Sequence, residues 1–468
     1  MFIDDTIAAI VTAPGEAGVG IIRISGKHAL ECASRIFVPK KKGTKLEDRV
    51  RYLTLGHIVD NQDADKATHE EKIVDEVLCA YMKAPYTYTK EDVVEINCHG
   101  GYLSLKKTLE LVLKNGARLA QRGEYTKRAF LNGRIDLSQA EAVMDIITAK
   151  TSKSHELSQK QLDGKLSHKL SEIRHNVTAD LARITVAVDF PEEDEPDVTY
   201  EELIESTTSH LQEINKMIKS FEVGKVYRDG LRTVIIGKPN VGKSSLLNGI
   251  LQENRAIVTS VAGTTRDIIE EYLTLDGIPI RLVDTAGIRK TEDVVEKIGV
   301  ERSKESIENA DLVILMLDKS RELDQEDLAI IDIAKDKKLI VIINKQDLES
   351  KLDEATVKMH LETENIIHAS VINNQGIDEL KTMIKKMVEG NGISLDNDYM
   401  INNARHKNAL EKAARACEDA LQSLGIELPL DIIETDFKNI WDYLGEITGD
   451  TTSEGLLDTI FANFCIGK

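Results

Sequence analysis

Residues 237–244 read GKPNVGKS, and this stretch decides the fold of the central part of the chain. The apolar run at 231–236 precedes it and predicts a buried strand, and Leu246, Leu247 and Ile250 follow it at helical spacing. A glycine, four residues and then Gly-Lys-Ser, placed between a strand and a helix, is typical of a phosphate-binding loop. The sequence therefore predicts a P-loop nucleotide-binding domain.

The residue types in this loop suit a nucleoside triphosphate. Gly237 and Gly242 let backbone N–H groups close around the terminal phosphates. Lys243 adds a positive charge, and the Ser244 hydroxyl can bind Mg²⁺. The alternative is a glycine-rich turn that contains Gly-Lys-Ser by chance, which the flanking strand and helix disfavour.

Length, charge and cysteine content restrict the class of protein. A chain of 468 residues is expected to form two to four domains, each with its own core. Its formal net charge of −20 does not attract nucleic acid, so any RNA contact must rely on a local basic patch. The 5 cysteines lack paired spacing, and the sequence contains neither a signal peptide nor a run of 18 apolar residues. We therefore expect a cytoplasmic protein that does not span a membrane.

Regions of different patterning predict a multidomain α+β and α/β protein. Residues 1–130 mix short β-like runs with turns, which indicates an α+β domain. Apolar residues at helical spacing predict an all-α helical domain in two parts, 131–223 and 392–468. Strands and helices alternate between these parts, so 224–391 is expected to be an inserted nucleotide-binding α/β domain. Two separate helical bundles would produce the same pattern.

Two further motifs identify the nucleotide. DTAG at 284–287 follows a predicted strand, where Asp284 can hold Mg²⁺ through water and the glycine N–H can face a γ-phosphate. NKQD at 344–347 ends another predicted strand. The Asp347 carboxylate can accept two hydrogen bonds from guanine, whereas adenine offers no such pair of donors. The sequence therefore predicts a GTP site, and 224–391 is expected to be an inserted Ras-like P-loop GTPase domain.

Three other positions bear on hydrolysis. Thr265, within TSVAGTTRD at 259–267, can bind Mg²⁺ only when a γ-phosphate is present, which indicates a switch segment. Ser370 is expected to brace the base-binding loop. Ile288 follows DTAG where small signalling GTPases have a water-orienting glutamine. Either hydrolysis is slow or another group positions the water.

The predicted GTP site combines the phosphate loop, the switch segment, DTAG and the base loop. Its residues are Asn240, Val241, Gly242, Lys243, Ser244, Ser245, Thr259, Ser260, Val261, Ala262, Gly263, Thr264, Thr265, Asp284, Thr285, Ala286, Gly287, Asn344, Lys345, Asp347 and Ser370. Ser244 and Thr265 are the predicted Mg²⁺ ligands, and Lys243, Asp284 and Thr265 are predicted to take part in catalysis.

Cys98-His99-Gly100-Gly101 can be interpreted in more than one way. His-Gly-Gly might form an anion-binding hole, but no Gly-x-Ser-x-Gly motif accompanies it, so a turn at a strand end is favoured. Cys98 and His99 might form a thiolate pair. Neighbours on a strand point to opposite faces, which favours a buried thiol instead.

The whole chain resembles the MnmE (TrmE) family of bacterial tRNA-modification GTPases, which belongs to the TrmE-Era-Der-like GTPases. The resemblance rests on GVGIIRISG at 18–26, EDVVEINCHGG at 91–101, GTTRD at 263–267 and the final CIGK at 465–468. It implies an amino-terminal domain similar to tetrahydrofolate-binding aminomethyltransferase domains. This domain is expected to mediate homodimerisation and to bind a 5-formyl- or methylene-tetrahydrofolate.

The family's folate-site residues match Arg23, Glu95, Arg134 and Lys468. Arg134 stands where the family is associated with lysine. The positive charge is retained, but a planar guanidinium group with several donors replaces a compact ammonium group. Without the resemblance, Arg23 and Glu95 would be interpreted as solvated strand residues. Cys465 matches a functionally important cysteine, and it is equally compatible with a buried thiol near the end of the chain.

The resemblance also implies a mechanism for GTP hydrolysis. In the family, two G domains meet across a bound K⁺ that replaces an arginine finger. The matching K⁺ ligands are Asn240, Thr259, Val261 and Thr264. Glu296 matches the acid that positions water, which accounts for the missing glutamine.

The expected reaction is performed jointly with MnmG, an FAD enzyme, in a heterotetrameric or larger complex. It attaches an aminomethyl or carboxymethylaminomethyl group to carbon 5 of the tRNA wobble uridine. The resemblance implies no DNA or membrane partner. The alternative function is a GTP-dependent ribosome-assembly switch, but neither a basic RNA-binding module nor a second phosphate loop is visible in the sequence.

Overall fold

The computed structural model describes residues 5–60, 72–189, 199–253, 271–283, 307–361, 363–390 and 399–468. These residues fall into two compact units. One unit combines the chain up to Met144 with Gly445–Lys468, and the other comprises Asp145–Leu444. Each unit contains its own β-sheet.

The strands and helices are named here in chain order. The strands are β1 (Ile7–Ile10), β2 (Ala17–Ser25), β3 (Phe37–Pro39), β4 (Leu53–Asp60), β5 (Lys72–Met82), β6 (Val93–Gly100), β7 (Arg118–Leu119), β8 (Leu231–Ile236), β9 (Glu271–Leu275), β10 (Ile278–Leu282), β11 (Leu312–Asp318), β12 (Leu339–Asn344) and β13 (Ile366–His368). The helices are α1 (Ala29–Ser34), α2 (Tyr102–Lys114), α3 (Glu124–Leu131), α4 (Leu137–Thr148), α5 (Ser152–Leu162), α6 (Lys165–Asp189), α7 (Tyr200–Asp229), α8 (Lys243–Glu253), α9 (Gln325–Ala334), α10 (Glu354–Leu361), α11 (Ile377–Glu389), α12 (Ala404–Gly425), α13 (Leu430–Thr448) and α14 (Glu454–Ala462). Short 3₁₀ turns occupy Leu46–Asp48 and Val371–Asn373.

The first unit is built on a seven-stranded sheet with the order β3-β4-β5-β6-β2-β1-β7. Its strand pairs are antiparallel except for β1 with β7. Side chains alternate between the faces of a strand, so Ile22 and Ile24 of β2 enter the core while Arg23 lies on the opposite face. Arg23 is paired in register with Glu95 of β6. The sheet thus brings two predicted folate-site residues side by side.

The end of the chain belongs to the first unit. Phe461 and Phe464 form a buried cluster with Ala129 and Leu137, and α14 packs on α3. The predicted boundaries assign residues 392–468 to the helical domain, and they remain a prediction. Local spacing identifies a helix near residue 456 but does not specify its packing partner, because that partner lies more than 300 residues away in the sequence.

The structure supports the simpler interpretations of Cys98 and His99. Cys98 is only 2% exposed, and burial raises the pKa of its thiol to about 12. The His99 backbone N–H donates to Asp75 Oδ2 at 2.9 Å, and His99 Nδ1 lies 2.6 Å from Asp75 Oδ1. Hydrogen bonding to Asp75 raises the pKa of His99. The thiol is therefore protonated at neutral pH, and His99, at the end of β6, binds the Asp75 carboxylate of the chain itself.

The second unit contains a six-stranded sheet with the order β13-β12-β11-β8-β10-β9. Its strands are parallel except for β9, which forms a hairpin with β10. The hairpin turns at Asp276 (φ 48°) and Gly277 (φ 85°), as the Asp-Gly dipeptide predicts. Alternate residues of β8 enter different cores, Ile235 on one face and Val234 on the other. Burial on both faces is typical of a parallel α/β sheet.

Helices before and after this α/β domain pack against each other. Helix α7 lies along α12, and the Ile401 N–H donates to Ser220 Oγ at 3.0 Å. Gly224 permits this close approach because a Cβ there would lie 2.1 Å from Ile401 O. The predicted multidomain fold, with a P-loop domain inserted between helical segments, is confirmed. None of the described helices is both long enough and apolar enough to cross a membrane.

Candidate functional site

The phosphate loop joins β8 to α8 and requires unusual backbone angles. Gly237 has φ 141°, and a Cβ there would lie 2.4 Å from Met316 O. Gly242 has φ 109°, and a Cβ there would lie 2.3 Å from Asn344 Nδ2. Asn240 adopts φ 63°, in the left-handed region that asparagine tolerates better than most residues. The glycines of the motif are thus required by the backbone and by the close approach of neighbouring strands.

Lys243, the first residue of α8, reaches back across the phosphate loop. Its Nζ donates to Gly237 O at 2.6 Å and to Lys238 O at 2.8 Å. Burial, together with the nearby charge of Arg321, lowers the pKa of its ammonium group. A cation held at the centre of the loop can exchange these carbonyl contacts for phosphate oxygens.

Asn344 connects the phosphate loop with the base loop. Its Nδ2 donates to Val241 O at 2.8 Å, and its Oδ1 accepts from the Val371 N–H at 3.1 Å. Asn344 is only 4% exposed. One buried amide therefore joins the end of β12, the phosphate loop and the turn after β13.

The base loop presents a braced carboxylate. Ser370 Oγ donates to Asp347 Oδ1 at 2.6 Å, and Asn373 Nδ2 donates to Ser370 Oγ at 2.9 Å. The bond from Ser370 lowers the pKa of Asp347, so this residue is ionised at neutral pH. Lys345 has φ 65° and donates from Nζ to Asp318 Oδ2 at 2.6 Å. The loop is therefore positioned before any base binds.

The described residues bring together one part of the predicted GTP site. Asn240, Val241, Gly242, Lys243, Ser244, Ser245, Asn344, Lys345, Asp347 and Ser370 lie at or just beyond the carboxyl ends of β8, β12 and β13. The other predicted positions lie outside the described residues: Thr259, Ser260, Val261, Ala262, Gly263, Thr264, Thr265, Asp284, Thr285, Ala286, Gly287, Ile288 and Glu296. Among the described residues, no group of three or more His, Cys, Asp or Glu side chains could hold a metal ion.

A second candidate site surrounds Arg23 in the first unit. Arg23 Nε donates to Glu95 Oε1 at 2.8 Å, and Arg23 Nη1 donates to Gly467 O at 3.4 Å. The Arg23 guanidinium lies 5.9 Å from the ring centre of Tyr88 and 5.7 Å from that of Tyr125. Lys468 directly follows Gly467, so the carboxyl-terminal tetrapeptide reaches this site. Cys465 of the same tetrapeptide is exposed, so its interpretation as a buried thiol is wrong.

A cavity of about 730 Å³ adjoins Glu95. Its lining residues are Arg51, Ala80, Met82, Pro85, Tyr86, Thr87, Tyr88, Lys90, Glu95 and Arg134. The Arg134 guanidinium lies 4.7 Å from the ring centre of Tyr88. The predicted residues Arg23, Glu95 and Arg134 thus occur together with Tyr88, and Glu95 and Arg134 line one cavity.

Sequence reasoning did not identify Arg51, Tyr88 and Lys90 as part of this second site. Arg51 (φ 66°) and Lys90 (φ 59°) both have left-handed backbones, which is uncommon outside glycine. The run Tyr-Thr-Tyr-Thr-Lys at 86–90 was the available signal, because aromatic and basic side chains occur there in close succession. Arg51 carried no comparable signal.

Comparisons with known proteins match the full chain. A family profile described as the MnmE helical domain matches residues 137–465, and one described as the GTP-binding protein TrmE N-terminus matches 6–134. The chain is 55% identical over 468 residues to a tRNA modification GTPase MnmE from Clostridioides difficile, with 100% of both chains covered. It is 52% identical over 468 residues to the protein of that name from Alkaliphilus oremlandii, again with full coverage of both.

Among solved structures, Era from Aquifex aeolicus is 30% identical, covers 40% of this chain and 66% of its own, and has a TM-score of 0.26.

Proposed function

Because this chain belongs to the MnmE family of tRNA modification GTPases, it is a GTP hydrolase that acts in tRNA modification, and we propose the finer steps of that activity. It modifies carbon 5 of the wobble uridine with an aminomethyl or carboxymethylaminomethyl group, and a tetrahydrofolate supplies the carbon. The observation that carries this proposal is the presence of two separate sites in one chain. One is the base loop, where Ser370 holds the Asp347 carboxylate that would bind guanine, and the other is the cavity beside Arg23 and Glu95.

For GTP binding, the phosphate loop and the base loop have complementary roles. Asp347 accepts hydrogen bonds from guanine, and Lys243 neutralises phosphate charge that develops during cleavage. Ser244 at the start of α8 and Thr265 are proposed to hold Mg²⁺, with Asp284 acting through water. Bound Mg²⁺ would supply positive charge that stabilises the phosphates. A hydroxyl at a helix start beside the phosphate loop fits this role.

For hydrolysis, we propose that K⁺ binds beside the phosphate loop, held by Asn240, Thr259, Val261 and Thr264. The exposed position of Asn240 in the loop and its left-handed backbone support its part in this proposal. Bound K⁺ would neutralise charge on the leaving phosphate. Glu296 would orient the attacking water where Ile288 cannot.

For folate binding, the cavity of about 730 Å³ has a suitable size and donor set. A folate offers hydrogen-bond donors on its pterin ring and carboxylates on its glutamate tail. Glu95 supplies an acceptor, whereas Arg51, Lys90 and Arg134 supply positive charge. Arg23 orients the Glu95 carboxylate and donates to Gly467 O, and we include Lys468 and Cys465 in the proposal as residues of the same tetrapeptide.

The proposed assembly is a homodimer that acts with the FAD enzyme MnmG on tRNA in the cytoplasm. A dimer would bring two phosphate loops together for K⁺-dependent hydrolysis. MnmG would supply the redox chemistry for which the sequence offers no cofactor motif. The ribosome-assembly alternative has no comparable support, since the relatives matched over the full length carry the name of a tRNA modification GTPase.

The wobble uridines of cellular tRNA provide the test of this function. In cells that lack the protein, we expect the modified wobble uridines to disappear from the substrate tRNAs and unmodified uridine to replace them. Nucleoside analysis by mass spectrometry of purified tRNA measures the change, and re-expression of the intact chain is the control. Identical nucleosides in the two strains would refute the proposal.

The folate cavity makes a second prediction. Arg134→Ala should weaken binding of 5-formyl-tetrahydrofolate to the full-length protein about tenfold, because one charge-assisted contact is lost. Arg134→Lys should retain most of the affinity, since the positive charge remains. Calorimetric titration measures both variants. Lys106→Ala, an exposed change on α2, is the matched control, and equal affinity of Arg134→Ala and the control would exclude Arg134 from the site.

A further inference from the structure

A basic pocket lies in the second unit where α7 meets β8. Its volume is about 390 Å³, and its lining includes five cationic side chains but only two carboxylates. The cations are Lys150, Lys225, Arg228, Arg232 and Arg281. A local excess of positive charge stands out in a chain with a formal net charge of −20. Such a cluster is the local basic patch that RNA contact by this acidic chain requires.

Two of the arginines are held side by side by the sheet. Arg232 of β8 and Arg281 of β10 are register partners on neighbouring parallel strands, and Tyr272 of β9 is the partner of Arg281 on its other side. Register partners lie on the same face of a sheet, so the three side chains form one row. Like charges at such positions repel each other. A phosphate anion can accept hydrogen bonds from two guanidinium groups placed in this way.

Neighbouring contacts orient the cations of the pocket. Asp311 accepts from Arg232 Nε at 3.2 Å and from Arg232 Nη2 at 3.4 Å. Arg228 Nε donates to Asp145 Oδ1 at 2.8 Å, and Lys150 Nζ lies 5.5 Å from the ring centre of Tyr272. A guanidinium has five N–H donors. Arg232 therefore keeps donors for a second acceptor while Asp311 fixes its orientation.

This pocket is separate from the GTP site. It surrounds the first residues of β8, whereas the phosphate loop follows the last residue of that strand, Ile236. At about 3.3 Å per residue, a strand of this length separates the two places by roughly 17 to 20 Å. GTP bound at the phosphate loop therefore does not account for the charge of the pocket.

We propose that the pocket binds phosphate groups in the backbone of the RNA substrate. The proposal rests on the proposed function, which makes tRNA the substrate. Arginine matches phosphate oxygens through paired N–H donors, and phosphate contacts position a protein on nucleic acid without reading its sequence. Inorganic phosphate and pyrophosphate are small molecules that carry the same phosphate oxygens. The experiment therefore compares their binding with that of RNA.

The test uses the full-length protein and labelled tRNA, with fluorescence anisotropy between about 30 and 300 mM KCl. The variants are R281Q, K225Q and their combination. Lys216→Gln is the matched control, because Lys216 lies on α7 outside the pocket and pairs with Glu213. Thermal unfolding verifies that each variant folds.

We expect the combined variant to bind tRNA at least about tenfold more weakly at low salt. Its plot of log affinity against log salt should be shallower by about 1.4 to 1.8, which corresponds to two phosphate contacts. K216Q should match the unaltered chain. Pyrophosphate titrated by calorimetry should bind much more weakly than tRNA.

Three results would overturn the proposal. The first is that the combined variant has the same tRNA affinity and the same salt slope as the unaltered chain. The second is that the unaltered chain does not bind tRNA at the lowest salt. The third is that the combined variant loses affinity for pyrophosphate but not for tRNA. Each of them leaves the nucleoside analysis of the deletion strain unaffected. Failure of this inference is therefore distinguishable from failure of the proposed function.

Discussion

Asp347→Asn is expected to weaken GTP binding about a thousandfold. The carboxylate of Asp347 is ionised and braced by Ser370 Oγ at 2.6 Å, so it is ready to accept from both guanine donors. An asparagine retains one acceptor and turns a donor toward the 2-amino group of guanine. Two charge-assisted hydrogen bonds are replaced by one neutral bond and one mismatch. Equilibrium titration with a fluorescent GTP analogue measures the loss.

Xanthosine triphosphate distinguishes altered base recognition from a damaged fold. Xanthine has a 2-oxo group in place of the 2-amino group, so the new amide donor meets an acceptor. The Asp347→Asn variant should therefore bind xanthosine triphosphate more tightly than the unaltered chain does. Asp353→Asn is the matched control, since Asp353 is a carboxylate outside the site that accepts from Thr356 Oγ1 at 2.7 Å. If the control lost GTP affinity equally, or if Asp347→Asn left that affinity intact, the assignment of Asp347 would be wrong.

Replacement of K⁺ by Na⁺ is expected to slow GTP turnover at least about a hundredfold. The proposed K⁺ takes the place of an arginine finger, and such groups contribute about 10³ to 10⁵ to turnover. A smaller ion does not match the same ligand distances. Steady-state phosphate release in matched chloride salts, with Mg²⁺ constant, provides the measurement.

Asn240→Gly assigns the K⁺ effect to this residue. Asn240 has φ 63°, which glycine adopts without strain, so the change removes the side chain while the loop keeps its conformation. We expect the rate difference between K⁺ and Na⁺ to vanish in this variant. Asn240→Ala would be a poorer choice because its Cβ disfavours that backbone angle. A variant that retained the full K⁺ response would remove Asn240 from the ion site.

The central fold could be predicted from sequence because its signals are local. GKPNVGKS at 237–244 lies within one strand, loop and helix, and Asp276-Gly277 specifies its own turn. The same holds for Asp347, whose chemistry follows from its position at a strand end. The connecting role of Asn344 could not be predicted, because Val241 and Val371 approach it only in the folded sheet.

The basic pocket and the cavity beside Glu95 could not be predicted, because they depend on contacts between residues that are distant in sequence. Lys225, Arg228 and Arg232 of the basic pocket lie close together in sequence, but Lys150 and Arg281 join them only in the folded chain. Arg51 and Glu95 likewise meet at one cavity although they belong to different segments. The resemblance to a known family identified Arg23 and Glu95, whereas their pairing required the register of β2 with β6.

The position of α14 has a consequence for biosynthesis. Phe461 and Phe464 complete a buried cluster with Ala129 and Leu137, so part of the amino-terminal core consists of residues synthesised more than 300 residues later. Domains generally fold as units while the chain emerges from the ribosome. In this protein the first domain must wait, with an apolar surface uncovered, until the second unit has been made. Translation of the α14 segment therefore supplies the residues that close the core of the first domain.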